Sequence, residues 1–211
     1  RSANTTRAMP MPSATAITIS PANAMTVTRA MTVRSPTMLG QLTAEIAGAD
    51  EWLASLDRFG IVSPRGVLLE GATIEQNLAM PMTLQIDPVP PDVAVRVAEL
   101  ARDCGIAGAG EGEWLQHVTG EAPPYIRARV HLARAVALAP ALLLLEHPGA
   151  DLDVDERAAF ADCIASVAER GGVATLVITK DDEFARRVAD RALRLEPATG
   201  ALKAIKRGWF R

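Results

Sequence analysis

The chain has 211 residues, is 49% apolar and carries a formal net charge of −3. That length suits one domain with a sizeable core, and the balance excludes a disordered chain and a polybasic nucleic-acid binder. The two cysteines, Cys104 and Cys163, show no CxxC spacing, which argues for inert thiols in a reduced compartment rather than a disulfide framework.

Residues 1–37 form a compositional block of their own, rich in Ala, Thr, Ser, Met and Pro. No acidic residue precedes Glu45, no aromatic precedes Trp52, and AMTV occurs at 24–27 and again at 30–33. The block reads as low-complexity, disordered or divergent, with weak edge strands over AMTVTR and AMTVRS. An organelle transit peptide and a processed or misframed segment are the alternatives.

From residue 38 the pattern is that of an α/β chain. A helix is predicted over Leu39–Ala47 with Gly48 as its stop, then a short strand at Phe59–Val62 ending at Ser63-Pro64. Thr73 followed by Gln76 has the spacing of a capping box and starts a helix running to Met80. Pro88–Pro91 makes a rigid connection, and VAVRVAELARDC (93–104) places apolar residues at helical spacing. After a glycine-rich turn at 105–112 comes a helix over Tyr125–Leu138.

The rest alternates: strand Ala141–Leu145, helix Asp155–Glu169, strand Ala174–Thr179, helix Glu183–Ala189, strand Ala192–Leu195. Aliphatic strands without alternation, each followed by a helix, predict a mostly parallel sheet buried on both faces. Ligands of such sheets lie at the C-terminal strand ends, which puts Glu146, His147, Thr179 and Lys180 on one edge. The longest apolar run, Ala135–Leu145, contains Pro140 and is too short to span a bilayer.

Three stretches occur in a specific order: RFGIVSPRGVLLEGATIEQNLAMPM (58–82), ARVHLARAVALAPALLLLEHPGADLD (128–153) and TLVITKDDEFARRVADRALRLE (175–196). Together they resemble the ATP-binding subunit of an ABC transporter over about residues 38–196. The first is similar to that family's Q-loop strand and following helix. The second resembles the helix after the signature motif, the Walker B strand and the D-loop. The third resembles the switch-histidine strand, its helix and the last core strand. The resemblance implies a three-layer P-loop NTPase-like α/β domain over 38–211, with a small helical subdomain over about 73–138.

The residues that carry the family's chemistry are exchanged. A phosphate-binding loop needs glycine-rich backbone, a lysine and a Ser/Thr for Mg²⁺. Counted back from the predicted helix, it falls on Val33–Gln41, where Leu39 takes the lysine position with Gly40 and Gln41 after it. Shifting the register does not help, because the only lysines are Lys180, Lys203 and Lys206. Pro64 stands at the Q-loop glutamine. Pro123, Pro124 and Tyr125 stand at the signature serine and glycines, and prolines donate no N–H to an anion. Glu146 replaces the aspartate that holds magnesium, leaving at most a weak metal contact there. His147 replaces the glutamate that polarises water, and Lys180 replaces the switch histidine; Leu152 and Asp153 match the D-loop.

A general base without a phosphate cradle has nothing to act on, so His147 is expected to be a structural or interface residue. Arg127 and Arg129 read as a solvated helix face and Lys180 as a solvated loop lysine, with an internal Glu146–Lys180 ion pair as one way to replace metal and phosphate. The resemblance therefore implies a catalytically inactive subunit with no cofactor, acting as a structural or regulatory partner. Its partners would be an ABC-type ATPase subunit or a second copy of itself, and a transmembrane transporter subunit. That would place it in the cytoplasm, peripheral to the inner membrane. The alternative is an ATP-binding subunit that still binds or hydrolyses ATP with Mg²⁺ beside a catalytic partner.

Overall fold

A computed structural model describes residues 15–19, 56–106, 112–189, 191–196 and 198–204. Their strands form one six-stranded sheet: β1 (Thr15–Ile19), β2 (Phe59–Val62), β3 (Leu142–Glu146), β4 (Ala174–Thr179), β5 (Arg191–Glu196) and β6 (Ala201–Ala204), in the order β2-β3-β4-β1-β5-β6. The first five run parallel and β6 returns antiparallel along β5.

The low-complexity block thus contributes a strand, and at the centre of the sheet. β1 lies between β4 and β5, with Thr18 level with Thr179 and Ile19 level with Leu195. The edge strands expected around 24–33 and the helix expected over 39–47 fall outside the described residues.

Between β2 and β3 the chain inserts α1 (Ile74–Ala79), α2 (Pro91–Asp103), two short 3₁₀ turns and α3 (Pro124–Val136). α4 (Val154–Gly171) connects β3 to β4, and α5 (Asp182–Val188) connects β4 to β5. Local sequence sets these boundaries. Thr73 accepts from the Gln76 N–H while the Gln76 side chain accepts from the Thr73 N–H, the predicted capping box. Asp153 and Glu156 repeat the device at the start of α4, and Gly172, at φ 60°, ends that helix in the left-handed region. α2 and α3 instead open with Pro at both the cap and the first helical position, where a missing N–H costs nothing.

The core is one contiguous cluster. Leu143 and Leu145 of β3 and Val177 of β4 meet Ile126 and Val130 of α3 and Phe160 and Ile164 of α4, and the cluster continues to Ile74 and Leu78 of α1. β4 alternates, with Thr175, Val177 and Thr179 buried and the intervening residues half-buried, a period the aliphatic sequence does not display. Gly60 lets α3 lie directly against β2. A Cβ there would sit 2.2 Å from the Ala135 carbonyl oxygen.

Candidate functional site

Register builds the site. Val62 pairs with Leu145, and Glu146 with Ile178, so the residues leaving β2, β3 and β4 emerge side by side at one sheet edge. Ser63 and Glu146 come next after the Val62–Leu145 rung, and the Ser63 hydroxyl donates to Glu146 Oε2 at 2.8 Å. Ser63 Oγ also accepts from the Arg65 N–H at 3.3 Å, and the Gly66 N–H closes a turn on the Ser63 carbonyl at 2.8 Å.

His147 follows with φ 47°, a left-handed conformation uncommon for a residue other than glycine. Its N–H donates to the Ile178 carbonyl at 2.8 Å, and its carbonyl accepts from the Ala150 N–H. The chain thus turns sharply at the end of β3 while staying bonded to β4. Strained backbone of this kind collects at functional edges.

Two cavities flank this edge. One, about 360 Å³, lies between the ends of β2 and β3 and the first turns of α3; Ser63, Pro64, Arg127, His131, Glu146 and Asp151 are among its lining residues. The other, about 550 Å³, lies over the ends of β3 and β4 and is lined by Pro64, His147, Arg157, Thr179, Lys180 and Asp181 among others. The structure therefore brings Glu146, His147, Thr179 and Lys180 to one edge, as the sequence predicts, and sets Pro64 beside them.

The internal Glu146–Lys180 ion pair does not form. Glu146 is held by Ser63, and Lys180 is exposed and makes no salt bridge among the described residues. The preference has a physical basis: the register puts Ser63 beside Glu146, whereas Lys180 lies past the end of β4 on a flexible stem.

Other predicted positions are spent on structure. Pro123 caps α3 and Pro124 is its first residue; Tyr125 packs half-buried against the core. Asp153 caps α4. Arg127 pairs with Glu70 at 3.1 Å, and Arg129 donates to the Cys104 carbonyl at 3.0 Å, so neither is simply a solvated face. Leu39, Gly40 and Gln41 fall outside the described residues.

Sequence reasoning missed the residue that joins the edge. Arg157 donates through Nε to the Gly149 carbonyl at 3.1 Å, through Nη2 to the Leu152 carbonyl at 2.7 Å, and through Nη1 to Asp181 Oδ2 at 3.1 Å. One guanidinium thus ties the turn after β3 to the loop after β4, using the fork geometry that distinguishes Arg from Lys. Burial opposes ionisation of Asp181, but the Phe184 and Glu183 N–H groups and Arg157 outweigh it and hold the carboxyl below its usual range. Arg157 falls inside the helix predicted over Asp155–Glu169, with nothing in the sequence to mark it out; only its spatial partners do.

The titratable groups away from the edge are set by burial. Burial, then Arg134 and Arg127, depress the His131 pKa. Burial raises both thiols, Cys104 and Cys163, which accords with inert cysteines. Among the described residues no group of three or more His, Cys, Asp or Glu can hold a metal ion, and no helix is long and apolar enough to cross a membrane.

No protein-family model matches the chain. It is 35% identical over 133 residues to the Fe(3+) ions import ATP-binding protein FbpC 2 of Rhizobium meliloti, a match covering 63% of this chain and 32% of that protein. To the lipoprotein-releasing system ATP-binding protein LolD of Alcanivorax borkumensis it is 32% identical over 120 residues, 57% of this chain and 50% of that protein. The chain thus spans between about a third and a half of the curated relatives it matches. In fold it is similar to the dimeric structure of MJ0796, a bacterial ABC transporter cassette, with a TM-score of 0.63 at 16% identity over 89% of this chain and 83% of that one.

Proposed function

The chain is a relative of the ATP-binding subunits of ABC transporters and carries their cassette fold, and from that premise we propose that it is a pseudo-ATPase, a structural or regulatory subunit. The observation that carries this reading is where the sheet puts its central strand. A phosphate loop follows a strand and opens a helix. β1 ends at Ile19, fourteen positions before Val33 in the sequence. The residues after Ile19, SPANAMTVT, contain no glycine and no lysine; the first glycine of the chain is Gly40 and the first lysine Lys180.

Mg-ATP, which the family implies, does not fit the groups at this edge. The carboxylate in the metal position already accepts from Ser63, and two prolines open α3 where backbone N–H groups would face an anion. Retained apolar patterning with exchanged phosphate-facing positions is what selection on folding and assembly leaves behind. The partners under this reading are an ABC-type ATPase subunit or a second copy, and a transmembrane subunit that would hold the chain at the inner membrane. Val67 and Leu69, both exposed, lie next to the turn after β2 and offer apolar surface to such a partner.

Thermal unfolding with and without Mg-ATP tests the reading. A ligand at 100 times its Kd adds about 2.7 kcal/mol, about 5–10 °C in Tm for a chain of this size. No shift is expected; a shift of that size would establish the alternative, a subunit that still binds ATP beside a catalytic partner. The retained Leu152-Asp153 turn and its Arg157 brace are the features that favour that alternative.

A further inference from the structure

The Ser63–Glu146 contact does more than occupy a carboxylate. Arg65 N–H donates to Ser63 Oγ, and Ser63 Oγ–H donates to Glu146 Oε2, so the charge on β3 reaches the turn after β2 through one hydroxyl. That turn is closed by Gly66 N–H on the Ser63 carbonyl. Beyond it, α3 takes over: Arg134 donates to the Val67 carbonyl at 2.8 Å and Arg127 pairs with Glu70. Residues 63–70 are therefore held at one end by Glu146 and at the other by α3 and by Asn77 of α1, whose side chain accepts from the Leu69 N–H and donates to the Leu69 carbonyl, each at 2.9 Å. Between those ties Val67, 76% exposed, and Leu69, 42% exposed, stand outward.

We infer that Glu146 is a positioning residue: through Ser63 it fixes the turn at 63–66 and so presents the apolar segment Val67–Leu69, a structural use for a carboxylate the fold would otherwise offer to a metal. The inference rests on the pseudo-ATPase reading, in which Glu146 holds no cation and its carboxylate is free for a structural use. Hydrogen bonds to charged groups are stronger than neutral ones, and chains of them reinforce each other. Neither partner is replaceable by a group that lacks the donor or the charge.

Amide hydrogen exchange on the full chain tests it, read over residues 63–70 with α4 and β4 as internal references. Ser63→Ala should speed exchange in 63–70 about tenfold, most at Arg65 and Gly66. Glu146→Gln, whose amide oxygen still accepts a weaker neutral bond, should speed it by a few-fold. Both should leave the references unchanged. Ser63→Thr, which keeps the hydroxyl, should restore wild-type exchange. Unchanged exchange at 63–70 in both variants, or equal acceleration in the references, would overturn the inference. Mg-ATP is added in a separate arm. No effect is expected there, while protection at 63–70 that Glu146→Gln abolishes would sink the pseudo-ATPase reading. The Ser63 variants, measured without nucleotide, decide the tie itself in either case.

Discussion

The helical side of the sheet and its C-terminal edge are held together by different physics. Below the sheet, Phe160, Ile126 and Leu143 are essentially fully buried and belong to one apolar cluster, where stability depends on shape and area. At the edge, Ser63, Glu146, His147, Arg157 and Asp181 are half-exposed polar groups joined by directed bonds between segments far apart in sequence. The first region tolerates exchange of one apolar residue for another of like volume; the second tolerates almost none, because each bond needs a particular donor. An edge kept for a ligand leaves its polar groups unsatisfied until the ligand binds. Here Ser63, Glu146, Arg157 and Asp181 are bonded within the protein, while Lys180 makes no salt bridge among the described residues.

The core gives the largest effect. Phe160→Ala should cost about 4 kcal/mol of unfolding free energy, measured by denaturant titration with an unchanged m-value. A cost under about 1 kcal/mol would mean that α4 is not packed on the sheet as described, and the contrast between the two regions would lose its first term.

Arg157 tests the edge. Arg157→Ala removes three hydrogen bonds, one to a carboxylate, and leaves the Gly149 and Leu152 carbonyls without that donor. The expected cost is about 2–3 kcal/mol, and Arg157→Lys should recover little of it, since an ammonium cannot serve three acceptors in a planar fork. A variant that came out more stable than the parent would reverse the comparison. Residues poised for function are often strained against stability, and the edge would then be a retained site.

The difference also explains what could be read from sequence alone. β2, β3, β4 and β5, the Thr73 cap and the long helices were legible because each is written in neighbouring residues: an aliphatic run, a 3.6-residue period, Thr73 three places before Gln76. Thr15–Ile19 was not, because TAITI is short, alternates threonine with apolar residues and lies in a block of the same composition; only its two neighbours in the sheet, β4 and β5, make it central. ALKA, the four-residue strand that pairs with β5, is equally faint, and needed the turn at Gly200 to fold back. At the edge the identities were visible and the partners were not. Glu146 and Lys180 suggested an ion pair by charge, while the register supplied Ser63, eighty-three positions away.

The smallest effect is one of pH, and it lies where the two regions meet. His131 sits on α3, half-buried, with Nδ1 near Gly66. Burial, Arg134 and Arg127 disfavour its charged form, so its folded pKa is below the unfolded value of 6.5. Glu146, Asp151 and His147 face the same cavity, but none of them prevents that net depression. Between the two pKa values the unfolded chain binds more protons, so stability rises with pH across that window. It is complete above about 6.5 and is lost as pH falls below it. One proton limits the slope to about 1.4 kcal/mol per pH unit. Unfolding free energies of the parent and His131→Gln, compared from pH 7.5 to 5.5, should therefore diverge: the parent loses stability and the variant loses less by up to that slope. Parallel curves would show that His131 titrates alike in the folded and unfolded chain, so that burial and the two arginines do not disfavour its charge there.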